Sequence, residues 1–265
     1  MVLSVSLHAI VPMSALTLAL CHIFMERPTL LLLPGLGGDR RFFEPQQPLP
    51  ILQEVIEWIE PESKRESLQH YSQRMAERIG HRTSTYVGGA SLGAMVALEL
   101  ANQIGARGVF VIGGCRSHRE ISPLFRAVLS AGAAMPMRWI KPSLLLGPLA
   151  LTLLEGLDRA SINLMMQMLR EHSPEHIRWS CRAILDWQCC GDAPSMPIWT
   201  IHGIHDEVIP ARHVRADQWV PHGHHLISLS QPHAVNRFIA ARTVIGICSK
   251  QAQRLTHPAP DAQEG

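Results

Sequence analysis

The chain has 265 residues, enough for one large α/β domain or two small ones, and with 46% apolar and 17% charged residues it can bury a substantial core. A formal charge of +2 without a long basic run argues against a general binder of nucleic acid or anionic surfaces. Cys21, Cys115, Cys181, Cys189, Cys190 and Cys248 form no C-x-x-C pair and no metal-finger spacing, so they read as reduced thiols of a cytoplasmic protein.

Residues 2–24 carry no Asp, Glu, Lys or Arg and have the length of a membrane span. They lack the basic opening of a signal peptide, and Pro12, His8 and His22 interrupt them. Met25-Glu26-Arg27-Pro28 leads directly into a strand and looks like a natural start. Residues 1–24 therefore read as an apolar N-terminal extension, with membrane association through 2–24 as the less favoured alternative.

Thr29 to Leu33 is a continuous apolar run ending at Pro34-Gly35, the pattern of a buried parallel strand. The loop Leu36-Gly37-Gly38-Asp39 follows, and residues 44–50, with three prolines, read as an irregular connection. Glu54 to Pro61 alternates polar and apolar residues and predicts a strand. Leu68, Tyr71, Met75 and Ile79 have helical spacing, and Gly80 ends that helix.

Thr83 to Val87 is β-branched and aromatic and predicts a strand; Ala94 to Ala101 is rich in helix formers. Between them lies Gly-x-Ser-x-Gly, at Gly89, Ser91 and Gly93. A serine on a sharp strand-to-helix turn is a nucleophile elbow, with its hydroxyl beside the positive end of a helix. Arg107 to Ile112 repeats the buried-strand pattern. The alternation over 29–114 predicts an α/β fold with a mostly parallel central sheet and helices on both faces.

Residues 115–190 contain Leu- and Met-rich helical stretches broken by Pro123, Pro136, Pro142, Pro148 and Pro174, and read as a helical cap insertion. Ser173-Pro174-Glu175 supplies cap, first position and first-turn acid for its last helix, whose apolar face carries Ile177, Cys181, Ile184 and Leu185. Met165, Met166 and Met168 read as core of the insertion, or alternatively as a lining for an acyl chain. Arg116, His118, Arg119 and Arg126 read as a solvated face, with recognition of an anionic group as the alternative. The α/β core then resumes over 191–250. Met196 to Gly203 is a strand, Ile204 to Pro210 a loop, Leu226 to Leu229 a short strand end or turn, and Pro232 to Cys248 a helix with Val235, Phe238, Ile239 and Ile245 facing inward. Residues 251–265 read as a disordered tail.

A serine hydroxyl needs a base, and the base needs a group that fixes its tautomer. Asp206, on the loop after a buried strand, fits the acid. His225 precedes the apolar Leu226-Ile227 and is the first choice of base, with His224 the alternative and His233 third. A metal site among His222, His224 and His225 fails on spacing.

The order Ser91, Asp206, His225 resembles the α/β-hydrolase superfamily. Leu33-Pro34-Gly35-Leu36-Gly37-Gly38 is similar to its oxyanion loop, with Pro34 where His is more usual. His202-Gly203-Ile204-His205-Asp206-Glu207-Val208-Ile209-Pro210 is similar to its acid loop, and Gly223-His224-His225-Leu226 to its histidine segment, with His224 in place of a glycine. The resemblance implies a serine esterase or thioesterase acting on a small-molecule acyl substrate. It also implies oxyanion donors at the backbone N–H groups of Leu36 and Leu92, and no metal or organic cofactor. Acyl transfer on the same residues and non-catalytic ligand binding on the same scaffold are the alternatives.

Overall fold

The computed structural model describes residues 28–136, 138–139, 156–188 and 195–243. The expected extension over 1–24, the tail over 251–265, the middle of the insertion, Ile245 and four of the six cysteines lie outside the described residues.

Six strands form one sheet: β1 (Thr29–Leu33), β2 (Leu52–Val55), β3 (Thr85–Ala90), β4 (Val109–Ile112), β5 (Ile198–Gly203) and β6 (Gln218–Val220). Their order is β2-β1-β3-β4-β5-β6, and every neighbouring pair is parallel. Helices α1 (Leu68–Ile79) and α2 (Leu92–Ile104) cover one face. The other face receives α6, residues 232–243, whose Val235, Phe238 and Ile239 are buried as the sequence predicts.

The strand period explains the two layers. Leu31, Leu33, Val87, Val109 and Val111 point into the core shared with α1 and α2, while Leu30, Leu32, Tyr86, Phe110 and Ile112 point into the core shared with α6. All four leucines Leu30 to Leu33 are fully buried, each contributing about 1.5–3 kcal/mol of apolar burial. This is why β1 reads as an unbroken apolar run rather than an alternation.

Two expectations are corrected and a third is narrowed. The strand expected at Glu54 to Pro61 is instead β2, at Leu52–Val55. Its ladder pairs with β1 from Thr29↔Leu52 to Leu32↔Val55, so it runs out where β1 ends, whatever the alternation beyond. Part of the irregular connection is a 3-10 helix, Arg40–Gln46, capped by Asp39. Leu226 to Leu229, expected as a short strand end or turn, is the turn: a single helical turn occupies Ile227–Ser230, and the sixth strand lies earlier, at Gln218–Val220.

Three helices of the insertion are described: α3 (Pro123–Ala134), α4 (Arg159–Glu171) and α5 (Pro174–Asp186). Ser122 and Ser173 cap α3 and α5 by accepting from the N–H groups of Phe125 and His176, with proline at the first position of each. The Ser122 N–H donates to Val208 O at 2.9 Å, fastening the start of α3 to the loop after β5. Among the described residues, no helix is long and apolar enough to cross a membrane.

Candidate active site

From β1 the chain moves outward to β2, then crosses back through α1 to β3 on the other side of β1. The carboxyl ends of β1 and β3 therefore bound a crevice at the point where strand order reverses, the usual ligand position in open parallel sheets. The loop after Leu33 and the elbow after Ala90 both lie there.

Ser91 occupies the elbow with φ 53° and ψ −116°, a conformation that L-residues rarely adopt. Close packing over-determines it. A Cβ on Gly93 would sit 2.0 Å from Leu33 O, and one on Gly89 would sit 2.1 Å from the Gly93 carbonyl carbon. Only glycine at both positions lets α2 press this closely on β1 and β3. Ser91 is the N-cap of α2, yet its hydroxyl makes no capping hydrogen bond. It turns to His225 instead.

His225 Nε2 lies 3.0 Å from Ser91 Oγ, and His225 Nδ1 lies 2.8 Å from Asp206 Oδ2. An ionised carboxylate only accepts, so Nδ1 carries the hydrogen and Nε2 offers its lone pair to the serine hydroxyl. The other carboxylate oxygen, Oδ1, accepts from the N–H groups of Val208 at 2.9 Å and Ile209 at 2.8 Å. Asp206 and His225 are both buried, at 3% exposure each. Burial by itself raises the Asp206 carboxyl, but His225 and His202 beside it outweigh that and hold it well below the usual carboxylate range.

Sequence reasoning missed the role of His202. It is fully buried, and its Nε2 lies 3.2 Å from Asp206 Oδ2 and 2.8 Å from Ile209 O. Both neighbours are acceptors, so this nitrogen also carries hydrogen. Its place four residues before Asp206, at the end of β5, does not by itself say that the following loop folds back to bring the two together.

The structure brings Ser91, Asp206 and His225 together, each just beyond the carboxyl end of a strand: β3, β5 and β6. His224 faces elsewhere, with its ring 5.7 Å from that of His205. Leu36 shares with Gly35, Ser91 and His225 the wall of a small, largely enclosed cavity; Leu92 is buried at the first position of α2. Met165 lines the same cavity, and Met165 and Met168 are both buried. Arg116, Arg119 and Arg126 do not line it. Arg116 and Arg119 are exposed, and Arg116 donates to Thr200 Oγ1 at 3.2 Å. Among the described residues, Glu62, Glu66 and His70 stand close enough to hold a metal ion, but the Arg74 guanidinium already pairs with both acids at 3.1 and 3.0 Å.

No protein-family model and no curated protein matches the chain. Solved structures do. A thermophilic esterase from Thermogutta terrifontis, with malate bound, matches 80% of this chain and 88% of its own at 19% identity and TM-score 0.60. An esterase from Exiguobacterium antarcticum matches 82% and 91% at 12% identity and TM-score 0.65. An epoxide hydrolase from Bacillus megaterium, in complex with an inhibitor, matches 83% and 94% at 11% identity and TM-score 0.61. At these identities the likeness is one of fold.

Proposed function

The chain has the α/β-hydrolase fold, and we propose that on it this protein is a serine hydrolase, cleaving a carboxylic ester or thioester through an acyl-enzyme. The contact between His225 Nε2 and Ser91 Oγ, at a strained elbow, is the observation that carries the proposal. Fold alone would not, because one fold hosts many reactions.

In this reading Ser91 Oγ attacks the substrate carbonyl carbon while His225 Nε2 takes its proton. Asp206 holds the imidazole in the productive tautomer and stabilises its cation. The tetrahedral oxyanion is received by the backbone N–H groups of Leu36 and Leu92, the latter at the positive end of α2. His225 returns the proton to the departing alcohol or thiol. Water, deprotonated by the same imidazole, then cleaves the acyl-serine bond and releases the acid. The residues present complete this cycle by themselves. In this reading the described helices of the insertion, α3, α4 and α5, act as a cap on the α/β core. The free thiols of Cys115 and Cys181 support a cytoplasmic setting.

The apolar, largely enclosed cavity favours one second reading, transfer of the acyl group to an alcohol or thiol that outcompetes water. Product analysis with added acceptor separates the two. For either, Ser91→Ala lowers kcat on an activated ester by about 10,000-fold or more while the far-UV circular dichroism is unchanged. A Ser91→Ala protein turning over at the wild-type rate overturns the mechanism.

A further inference from the structure

Resting on the serine-hydrolase reading, we propose that the cavity beside Ser91 is an acyl subsite for short, uncharged acyl groups, acetyl to propanoyl. Its length limit is set by Leu129 and Ile184.

The cavity lies against Ser91 and the Gly35-Leu36 loop, so it adjoins the carbonyl under attack. It is closed in by Phe42, Phe125, Leu129, Met165, Ile184 and Leu226. The part of the substrate that occupies it is the part that stays. After the first half-reaction the alcohol or thiol must leave and water must enter, whereas the acyl group remains bonded to Ser91 Oγ. An enclosed space suits the retained group; an open one suits the departing group.

The chemistry of the lining excludes charge. Among the described residues, Ser91 and His225 supply the only polar side chains that line it, and both are engaged with each other. Among the described lining residues, a carboxylate carried on the acyl chain would find no cation to receive it. Arg116, Arg119 and Arg126 lie outside the lining.

The volume limits length. The cavity holds about 30 Å³, roughly two water molecules' worth of room. That accommodates one or two carbons beyond the carbonyl. A longer chain must displace a wall, and the walls differ in how far they yield. Leu129 and Ile184 are buried at 0% and 4% exposure, on α3 and α5, which pack against each other along their length. Met165 on α4 is unbranched and can change rotamer at little cost. Leu129 and Ile184 therefore form the stop, and Met165 gives a limited tolerance.

The test is a series of p-nitrophenyl esters from acetate to octanoate, together with the mono-p-nitrophenyl ester of succinic acid, on the full chain. Acetate or propanoate gives the highest kcat/KM, hexanoate is at least 10-fold lower, and the succinate monoester is at least 10-fold below the butanoate ester. Leu129→Ala raises the hexanoate-to-acetate ratio at least 10-fold. Met165→Ala, the variant to read if Leu129→Ala does not fold, raises it by a smaller factor. Hexanoate or octanoate turned over by wild type as fast as acetate overturns the proposal, as does an unchanged ratio in a folded variant. Labelling of Ser91 by a fluorophosphonate keeps the two readings distinguishable. A labelled Ser91 with a flat chain-length profile overturns the acyl subsite alone, whereas no label and no turnover of any ester overturns the hydrolase reading beneath it.

Discussion

Asp206 meets four groups with two oxygens. Val208 and Ile209 donate to Oδ1; His225 and His202 meet at Oδ2. We predict that His202 acts through Asp206 as a positioning residue. Removing its N–H leaves the carboxylate charge less compensated, so Asp206 attracts the proton on His225 more strongly. The acid limb of the kcat/KM profile then moves to higher pH in His202→Ala, and kcat/KM at pH 7 falls by about 10-fold, worth about 1.4 kcal/mol. His202→Gln, which keeps a donor, restores part of both. An acid limb that stays in place in both variants assigns His202 to packing alone. Ser91 and Asp206 were legible from sequence because each follows a strand pattern with turn chemistry of its own, whereas His225 had no strand pattern before it. The choice of His225 over His224 rested on the apolar residues after it, and the structure adds the reason. The turn at Gly223 buries one imidazole toward Ser91 and leaves the other half-buried against His205. His202 was not legible as a partner, because nothing in a strand's last residues says which way the following loop folds back.

Among the elements, the elbow depends on how closely α2 lies against β1. Gly93 and Gly35 sit on either side of that contact and differ sharply. A Cβ at Gly93 would meet backbone carbonyl oxygens at 2.0 and 2.4 Å, whereas a Cβ at Gly35 would meet nothing closer than 3.6 Å. Gly93→Ala should therefore cost about 3 kcal/mol or more, since backbone must move, and Gly35→Ala about 1 kcal/mol or less. Urea unfolding of the two variants measures the difference; equal costs would mean that α2 does not press on β1 as described. The strands with unbroken apolar runs, β1 and β4, were readable because burial on both faces leaves a strong compositional mark. β2 was misplaced because an edge strand takes its register from its partner, and its exposed Leu52, at 64%, gives no inward signal. β6 was missed because three residues are too few to show a period, and only its central Trp219 stands out, exposed at 39%.

For the molecule as a whole, α5 is fixed to the α/β core through a buried histidine. His176 Nε2 lies 3.3 Å from Tyr71 Oη on α1, and its Nδ1 lies 2.9 Å from His172 Nε2 and 3.4 Å from Ser180 Oγ. The tilted rings of Trp58 and Trp179 pack around it, at 5.7 and 5.3 Å between centroids. Burial, then the neighbouring His172, push His176 down to about 3. An unfolded chain has an ordinary histidine near 6.5, so below that pH the unfolded state binds a proton that the folded state refuses. The stability conferred by a neutral His176 is thus complete above about pH 6.5. It is lost as pH falls toward 3, at up to about 1.4 kcal/mol per pH unit. Thermal unfolding between pH 8 and pH 5 should show this loss in wild type and a shallower one in His176→Gln; parallel curves would contradict it. The α/β order of the chain was legible because alternating strand and helix patterns constrain the topology. The packing of α5 on α1 was not, because Tyr71 and His176 are 105 residues apart and neither pattern names the other.

Covalent labelling asks of the protein itself whether Ser91 is an activated nucleophile. The purified protein is treated with a fluorophosphonate, and the modified residue is located by mass spectrometry, with Ser91→Ala as control. An activated Ser91 takes a single label that is absent from the variant. A folded wild-type protein that stays unlabelled, or that is labelled equally with and without Ser91, would contradict it.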